Sequence, residues 1–144
     1  TKSKNEIVLK SPKKLRAVDI KTLPYPGFPT DLQSILGVTL TIAKGTSIII
    51  ENIFENRYKY LNELIKMGAK TTVEGRTAVI KGVKRLNKAT VRATDLRGGA
   101  ALILAGLNAK GRTTVENIEY VLRGYENLDK KLTSLGANIR LEEI

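Results

Sequence analysis

An α/β fold, with sheets packed outside around central helices, is what this sequence predicts, on three observations. First, the chain repeats itself. Thr30-Asp31-Leu32-Gln33, Ala43-Lys44-Gly45, Glu51-Asn52-Ile53, Arg57 and Gly68-Ala69 recur as Thr94-Asp95-Leu96-Arg97, Ala109-Lys110-Gly111, Glu116-Asn117-Ile118, Arg123 and Gly136-Ala137, offset by 64 to 68 residues. Second, strand-like and helix-like stretches alternate within each copy. Third, Gly98 to Gly106 carries no polar side chain, and a helix of that composition is buried nearly all round. Its small residues also let neighbouring backbones approach closely. An ordinary doubly wound sheet is the alternative on periodicity alone.

The elements follow in order. Residues 1–15 are polar and basic, with Ile7-Val8-Leu9 as a short strand-like core. Arg16 to Lys21 alternates as a strand does. Pro24-Tyr25-Pro26-Gly27-Phe28-Pro29 forbids regular structure and makes a stiff loop. Thr30 then reads as the N-cap of a helix from Asp31 to Ala43, stopped by Lys44-Gly45. The β-branched run Thr46 to Glu51 is a strand, and Asn56 to Met67 is a helix ended by Gly68. Lys70 to Glu74 and Thr77 to Lys81, turned by Gly75-Arg76, form a hairpin. In the second copy Ala89–Ala93 is a strand, Asp95–Leu107 a helix and Thr113–Asn117 a strand. Gly124–Leu135 is a helix with Tyr125, Leu128, Leu132 and Leu135 on one face, and Asn138–Glu142 is a final strand. The repeat units therefore run from about 16 to 81 and from about 89 to 142.

Composition narrows the function. At 144 residues, 42% hydrophobic and 27% charged, the chain is long enough for one core and too apolar to be disordered. The longest apolar stretch, Gly98 to Leu107, is too short to span a bilayer. No cysteine and no histidine are present, so neither a disulfide framework nor a metal site is expected. Without histidine, proton transfer falls to Asp, Glu, Lys or Tyr. A net charge of +11 points to an anionic partner or to a solvated basic surface. Nucleic acid is disfavoured, because aromatics are few and the cations are scattered. The basic run Lys10, Lys13, Lys14 and Arg16 is the best candidate for a nucleic-acid arm.

The charged residues of the repeat are the candidates for chemistry. Asp31 follows the stiff loop at a helix start, either as a cap or as a carboxylate poised to take a proton from a hydroxyl. Arg57 and Arg123 each stand between a strand end and a helix start. A guanidinium there grips phosphate or carboxylate with two parallel bonds, or pairs with a neighbouring acid. Arg97 supplies a third guanidinium. Asp95 either holds Arg97 in an ion pair or is itself catalytic. No glycine-rich phosphate loop of standard spacing is present.

These residues carry a resemblance. Pro26-Gly27-Phe28-Pro29-Thr30-Asp31-Leu32-Gln33, Ile53-Phe54-Glu55-Asn56-Arg57, Asp95-Leu96-Arg97 with Gly99-Ala100-Ala101-Leu102, and Arg123-Gly124-Tyr125-Glu126 resemble the UDP-N-acetylglucosamine 1-carboxyvinyltransferases. The likeness runs in order from Arg16 to Leu141. It implies an inside-out α/β barrel (enolpyruvyl transferase-like), of which this chain holds two repeat units of one domain. Enzymes of this family are about three times as long, so residues 1–144 look like part of a C-terminal domain. The implied reaction adds the 3′-hydroxyl of UDP-N-acetylglucosamine to C2 of phosphoenolpyruvate and then loses phosphate, the first committed step of peptidoglycan synthesis.

The resemblance implies roles residue by residue. Asp31 is the base at the sugar hydroxyl, Ile53 holds the N-acetyl amide through its main-chain carbonyl, and Phe54 lies beside it. Arg57, Arg97 and Arg123 bind the phosphate and carboxylate of phosphoenolpyruvate, and Asp95 handles protons or positions Arg97. Asp31, Asp95 and Arg123 are thus the catalytic set, with no metal and no cofactor. The expected partners are the two substrates and the remainder of the same enzyme, with neither nucleic acid nor membrane. The location is cytoplasmic, and the chain alone is expected to be inactive. Where the family commonly has His-x-Asp before Arg-Gly-Tyr, this chain has Tyr120-Val121-Leu122, so a paired Arg123 is not implied. The rival readings are the sister enzyme 3-phosphoshikimate 1-carboxyvinyltransferase, or a non-catalytic basic anion-binding module.

Overall fold

The computed structural model describes residues 5–142; the first four residues of the basic N-terminal stretch and the last two of the chain lie outside them. The order is β1 (Ile20–Lys21), a single 3-10 turn (Thr30–Leu32), α1 (Gln33–Leu40), β2 (Thr46–Ile50), α2 (Lys59–Lys66), β3 (Lys70–Glu74) and β4 (Thr77–Lys81). It continues with β5 (Thr90–Arg92), α3 (Leu96–Asn108), β6 (Thr114–Glu116), α4 (Glu119–Leu122) and α5 (Leu128–Ser134).

Two separate sheets result. The first has the order β1-β2-β4-β3, and the second pairs β5 with β6. In each, a helix connects two parallel strands: α1 between β1 and β2, and α3 between β5 and β6. The β3–β4 hairpin, turned at Gly75-Arg76 as its sequence predicts, adds antiparallel strands to the outer side of β2. The helices form the inner layer. α1 and α2 both pack on α3, and outward contacts run from α1 to β4, from α2 to β3 and β5, and from α3 to β6. The single doubly wound sheet is not what forms, and the described residues leave the barrel open.

Small side chains explain how the helices come so close. In α3, Gly98, Gly99, Ala100, Ala101, Leu102, Ile103 and Ala105 are all buried. A Cβ on Gly99 would lie 2.5 Å from Val121 and 2.8 Å from Ala93, and one on Gly37 of α1 would lie 2.0 Å from the Tyr60 hydroxyl. Ile49, Tyr60, Leu61, Leu64, Met67, Ile80, Leu86, Val91 and Leu102 fill the main core and are fully buried. A smaller cluster beneath the second unit gathers Ala93, Ile103 and Val121.

Several expected elements are corrected. The first strand is only Ile20–Lys21, although Arg16 makes an isolated bridge to Lys44. The expected helix Asp31–Ala43 is a 3-10 turn followed by eight residues of α1, and Thr30 is not its cap. The helix expected from Asn56 begins at Lys59, because Asn56 is left-handed, with φ 58°. The helix expected over Gly124–Leu135 is shorter, Leu128–Ser134, beginning after Asn127 turns left-handed at φ 49°, and a separate short helix, Glu119–Leu122, precedes that span. Asn138–Glu142 is not a strand in the described residues.

The hydrogen bonds also correct the repeat match itself. Thr22 N–H donates to Ile50 O at 2.9 Å, and Ala93 N–H donates to Glu116 O at 2.9 Å. The spatial counterpart of Glu116 is therefore Ile50, and that of Glu51 is Asn117. Matching by identity slips by one residue here. In a strand, one residue exchanges the inner face for the outer. Glu51 consequently follows Ser47 and Ile49 to the buried side, while Glu116 faces outward against Arg92 at 2.7 Å.

Candidate anion-binding site

Asp31 stands in the 3-10 turn that the Pro24–Pro29 loop delivers. That loop folds on itself, with Gly27 N–H donating to Pro24 O and Leu23 N–H to Phe28 O. The Asp31 side chain caps nothing; it is 57% exposed and lies between two guanidinium groups. Arg97 Nη2 donates to Asp31 Oδ2 at 3.0 Å, and Arg57 Nη2 lies 3.7 Å from Oδ1. The Arg97 hydrogen bond is the main reason the Asp31 carboxyl is held below its ordinary value of 3.8, and both guanidinium charges add to it. Reciprocally, Asp31 pushes the Arg97 value up.

Each arginine has its own support. Arg57, only 7% exposed, donates from Nε to Thr30 Oγ1 at 3.3 Å and stacks 4.1 Å above the Phe54 ring. Arg97, on the first turn of α3, lies 5.9 Å from the Tyr125 ring centre. These contacts leave several N–H groups of the two forks uncommitted, and a guanidinium fork is the donor that suits a planar or tetrahedral oxyanion.

Asp95 is not paired with Arg97. Its Oδ1 accepts from Gly98 N–H at 2.8 Å, which makes it the N-cap of α3, and Thr94 Oγ1 donates to its Oδ2. Of the alternatives open in the sequence, the cap for Asp31 and the Arg97 pair for Asp95 are exchanged: Asp95 is the cap and Asp31 the ion-paired carboxylate. Asp95 fixes the start of the helix on which Arg97 rides.

Arg123 is not brought to Asp31. It sits at the end of α4, not at a helix start, is exposed, and stacks 5.2 Å from the Tyr120 ring. It makes no ion pair among the described residues. Ile53 and Phe54 are both about half exposed on the loop between β2 and α2. They border a cavity of about 330 Å³ that Arg57 and Arg76 also line.

One buried acid beside these residues is not among the sequence candidates. Glu51, 3% exposed, accepts from Thr22 Oγ1 (2.7 Å), Ile53 N–H (2.9 Å) and Phe54 N–H (3.1 Å) at Oε1, and from Thr30 Oγ1 (3.0 Å) at Oε2. Strand alternation was the available signal, since the period that buries Ile49 buries Glu51 as well. Tyr58 ties down the far end of the same loop by donating to the Ile49 and Arg76 carbonyls. Burial pushes its hydroxyl up to about 12, so it stays protonated.

Comparison with known proteins shows the family. The chain is 59% identical over 125 residues to the UDP-N-acetylglucosamine 1-carboxyvinyltransferase of Desulfofundulus thermocisternus, covering 87% of this chain and 51% of that one. It is 55% identical over 139 residues to UDP-N-acetylglucosamine 1-carboxyvinyltransferase 1 of Caldanaerobacter subterraneus subsp. tengcongensis, covering 96% of this chain and 34% of that one. The chain therefore spans between a third and a half of the length of these relatives. Among solved structures it superposes on the enolpyruvyl transferase NikO of Streptomyces tendae with a TM-score of 0.81 at 35% identity, over 89% of this chain and 30% of that one. An EPSP synthase of Acinetobacter baumannii shares the fold, with a TM-score of 0.64 at 21% identity, over 78% of this chain and 26% of that one. The model of the family described as EPSP synthase (3-phosphoshikimate 1-carboxyvinyltransferase) matches residues 1–132, and the chain belongs to this family of enolpyruvyl transferases, with their inside-out α/β fold.

Proposed function

We propose that this chain supplies part of the active site of a UDP-N-acetylglucosamine 1-carboxyvinyltransferase. The enzyme joins the enolpyruvyl group of phosphoenolpyruvate to the 3′-hydroxyl of UDP-N-acetylglucosamine in cytoplasmic peptidoglycan synthesis. The observation that carries the reading is Asp31, exposed and ionised, between Arg57 and Arg97. Identity of 55–59% to relatives of that name supports the substrate over shikimate 3-phosphate, to whose enzymes the likeness is distant.

In this reading Arg57 and Arg97 turn their free N–H groups to the phosphate and carboxylate of phosphoenolpyruvate. Fixed guanidinium groups stabilise charge that builds at the tetrahedral centre. Arg123 reaches the same ligand from the end of α4 once the substrate is bound. Asp31 gives up one arginine contact and accepts the proton of the sugar hydroxyl. Arginine contacts weaken this carboxylate as a base, so releasing one of them, together with its position beside the hydroxyl, is what fits it to take the proton. Asp95 acts by holding the α3 start, and hence Arg97. The exposed Ile53–Phe54 edge meets the N-acetyl group. The chain forms part of a C-terminal domain, in units of about 16–81 and 89–142, and the remainder of the enzyme completes the site.

The test is phosphate release from phosphoenolpyruvate that depends on UDP-N-acetylglucosamine. It is measured on the chain alone and on the chain joined to the complementary part of the Caldanaerobacter relative. Turnover only in the joined protein is the expected result. Turnover by the isolated chain contradicts the shared-site reading, and a joined, folded protein that binds neither substrate contradicts the function.

A further inference from the structure

The strongest unassigned feature is the carboxylate buried behind the arginine site. We infer that Glu51 and Thr30 form a positioning clamp that sets the distance between Asp31 and Arg57; this rests on the function proposed above. Glu51 Oε1 gathers Thr22 Oγ1, Ile53 N–H and Phe54 N–H, and so fixes the start of the loop carrying Phe54 and Arg57. Glu51 Oε2 takes the Thr30 hydroxyl proton, and the same hydroxyl oxygen accepts from Arg57 Nε. Thr30 immediately precedes Asp31. One hydroxyl therefore links the backbone that carries the carboxylate to the guanidinium facing it, and Glu51 orients that hydroxyl.

The second unit shows that the fold does not require this arrangement. The spatial counterparts of Thr22 and Glu51 there are Ala93 and Asn117, which offer neither hydroxyl nor carboxylate. Asn117 is exposed. Thr94, the counterpart of Thr30 in the repeat, turns its hydroxyl to Asp95 instead, and Asp95 caps its own helix. The β5–α3–β6 crossover forms without the clamp. Burying a carboxylate is costly unless hydrogen bonds offset it, so a unit that can be built without one carries it for another reason. In the first unit the clamp draws Thr30 away from its neighbour and leaves Asp31 free to face the arginines.

Thr30→Val severs the link without altering any charge, and Thr30→Ser restores the hydroxyl. Both are measured in the form of the protein that turns over substrate, beside Glu51→Gln, with thermal melting of each. Thr30→Val is expected to lower kcat by about tenfold or more, since small misplacements of reacting groups are costly. Its KM values for both substrates and its melting temperature should change little. Thr30→Ser should recover kcat to within about threefold of the parent on the same argument. On the 144-residue chain itself, Glu51→Gln should speed amide exchange at Ile53 and Phe54. Exchange is compared with that of Ala93, which lies outside the clamp, so that a general loosening is recognised. An active parent whose Thr30→Val variant keeps kcat within about twofold overturns the clamp and leaves the function standing. Equal loss of kcat in Thr30→Val and Thr30→Ser overturns it too. A parent with no turnover refutes the function instead, and the exchange comparison still decides whether Glu51 holds the loop.

Discussion

A single carboxylate beside two guanidinium groups makes a pH-dependent contact. In the folded chain the Asp31 carboxyl is held below 3.8, first by its hydrogen bond to Arg97. Its pair with Arg97 therefore stabilises the fold above the unfolded carboxylate value of about 3.9, and that contribution is lost as pH falls through the lower folded value. Asp31 is largely exposed, so the energy is small, under about 1 kcal/mol. Its titration is easier to read than its stability effect. A carbon-detected NMR titration should place Asp31 below the ordinary value, and Arg97→Gln should raise it further than Arg57→Gln does; equal, negligible shifts in both variants would refute the assigned cause. The candidate residues Asp31, Arg57 and Arg97 were legible from the repeat, but their partners were not. Whether an aspartate caps its helix or meets an arginine depends on groups 26 and 66 residues away. Nothing local in Thr30-Asp31 or Thr94-Asp95 distinguishes them. Glu51 was missed for a related reason: residue identity aligned it with Glu116, while strand register opposes the two.

At the scale of elements, local chemistry decided what could be read. The β3–β4 hairpin has β-branched strands and a glycine at its turn, and α3 has an aspartate cap and an apolar body; both stand almost where the sequence puts them. The start of the last helix was not legible, since a left-handed Asn127 leaves no mark in an otherwise helical pattern. The buried helices α1 and α3 do pack on one another, as their small residues require. That packing is testable at Gly37. Alanine in a helix interior gains about 1 kcal/mol over glycine, whereas overpacking a rigid core costs about 1–3 kcal/mol. A Cβ 2.0 Å from the hydroxyl of the fully buried Tyr60 places this site firmly in the second class. Gly37→Ala should lower the melting temperature, and adding Tyr60→Phe should recover much of the loss. A stabilised single variant would mean that α1 and α2 are less tightly packed than described.

For the whole molecule, the fold explains why the site takes this form. Two helix-connected units pack side by side, so the loop before α1, the loop before α2 and the first turn of α3 meet at one place. No helix among the described residues is long and apolar enough to cross a membrane. The fold class was legible because a repeat with one apolar helix per copy has few ways to bury both. The opening left between two short sheets was not, because it depends on strands pairing beyond each unit. The role proposed for Asp31 is to act on the transferring proton, beyond serving as a counter-ion for the arginines. The most direct test is the steady-state comparison of Asp31→Asn with its parent, in the form of the protein that turns over. Losing a positioned base typically costs about 10²–10⁴ in rate. Removing its charge from beside Arg57 and Arg97 should leave phosphoenolpyruvate binding unchanged or tighter. A kcat at least about a hundredfold lower is expected, with the KM for phosphoenolpyruvate no higher than the parent's. A folded Asp31→Asn protein with near-parental kcat and a raised KM would contradict it.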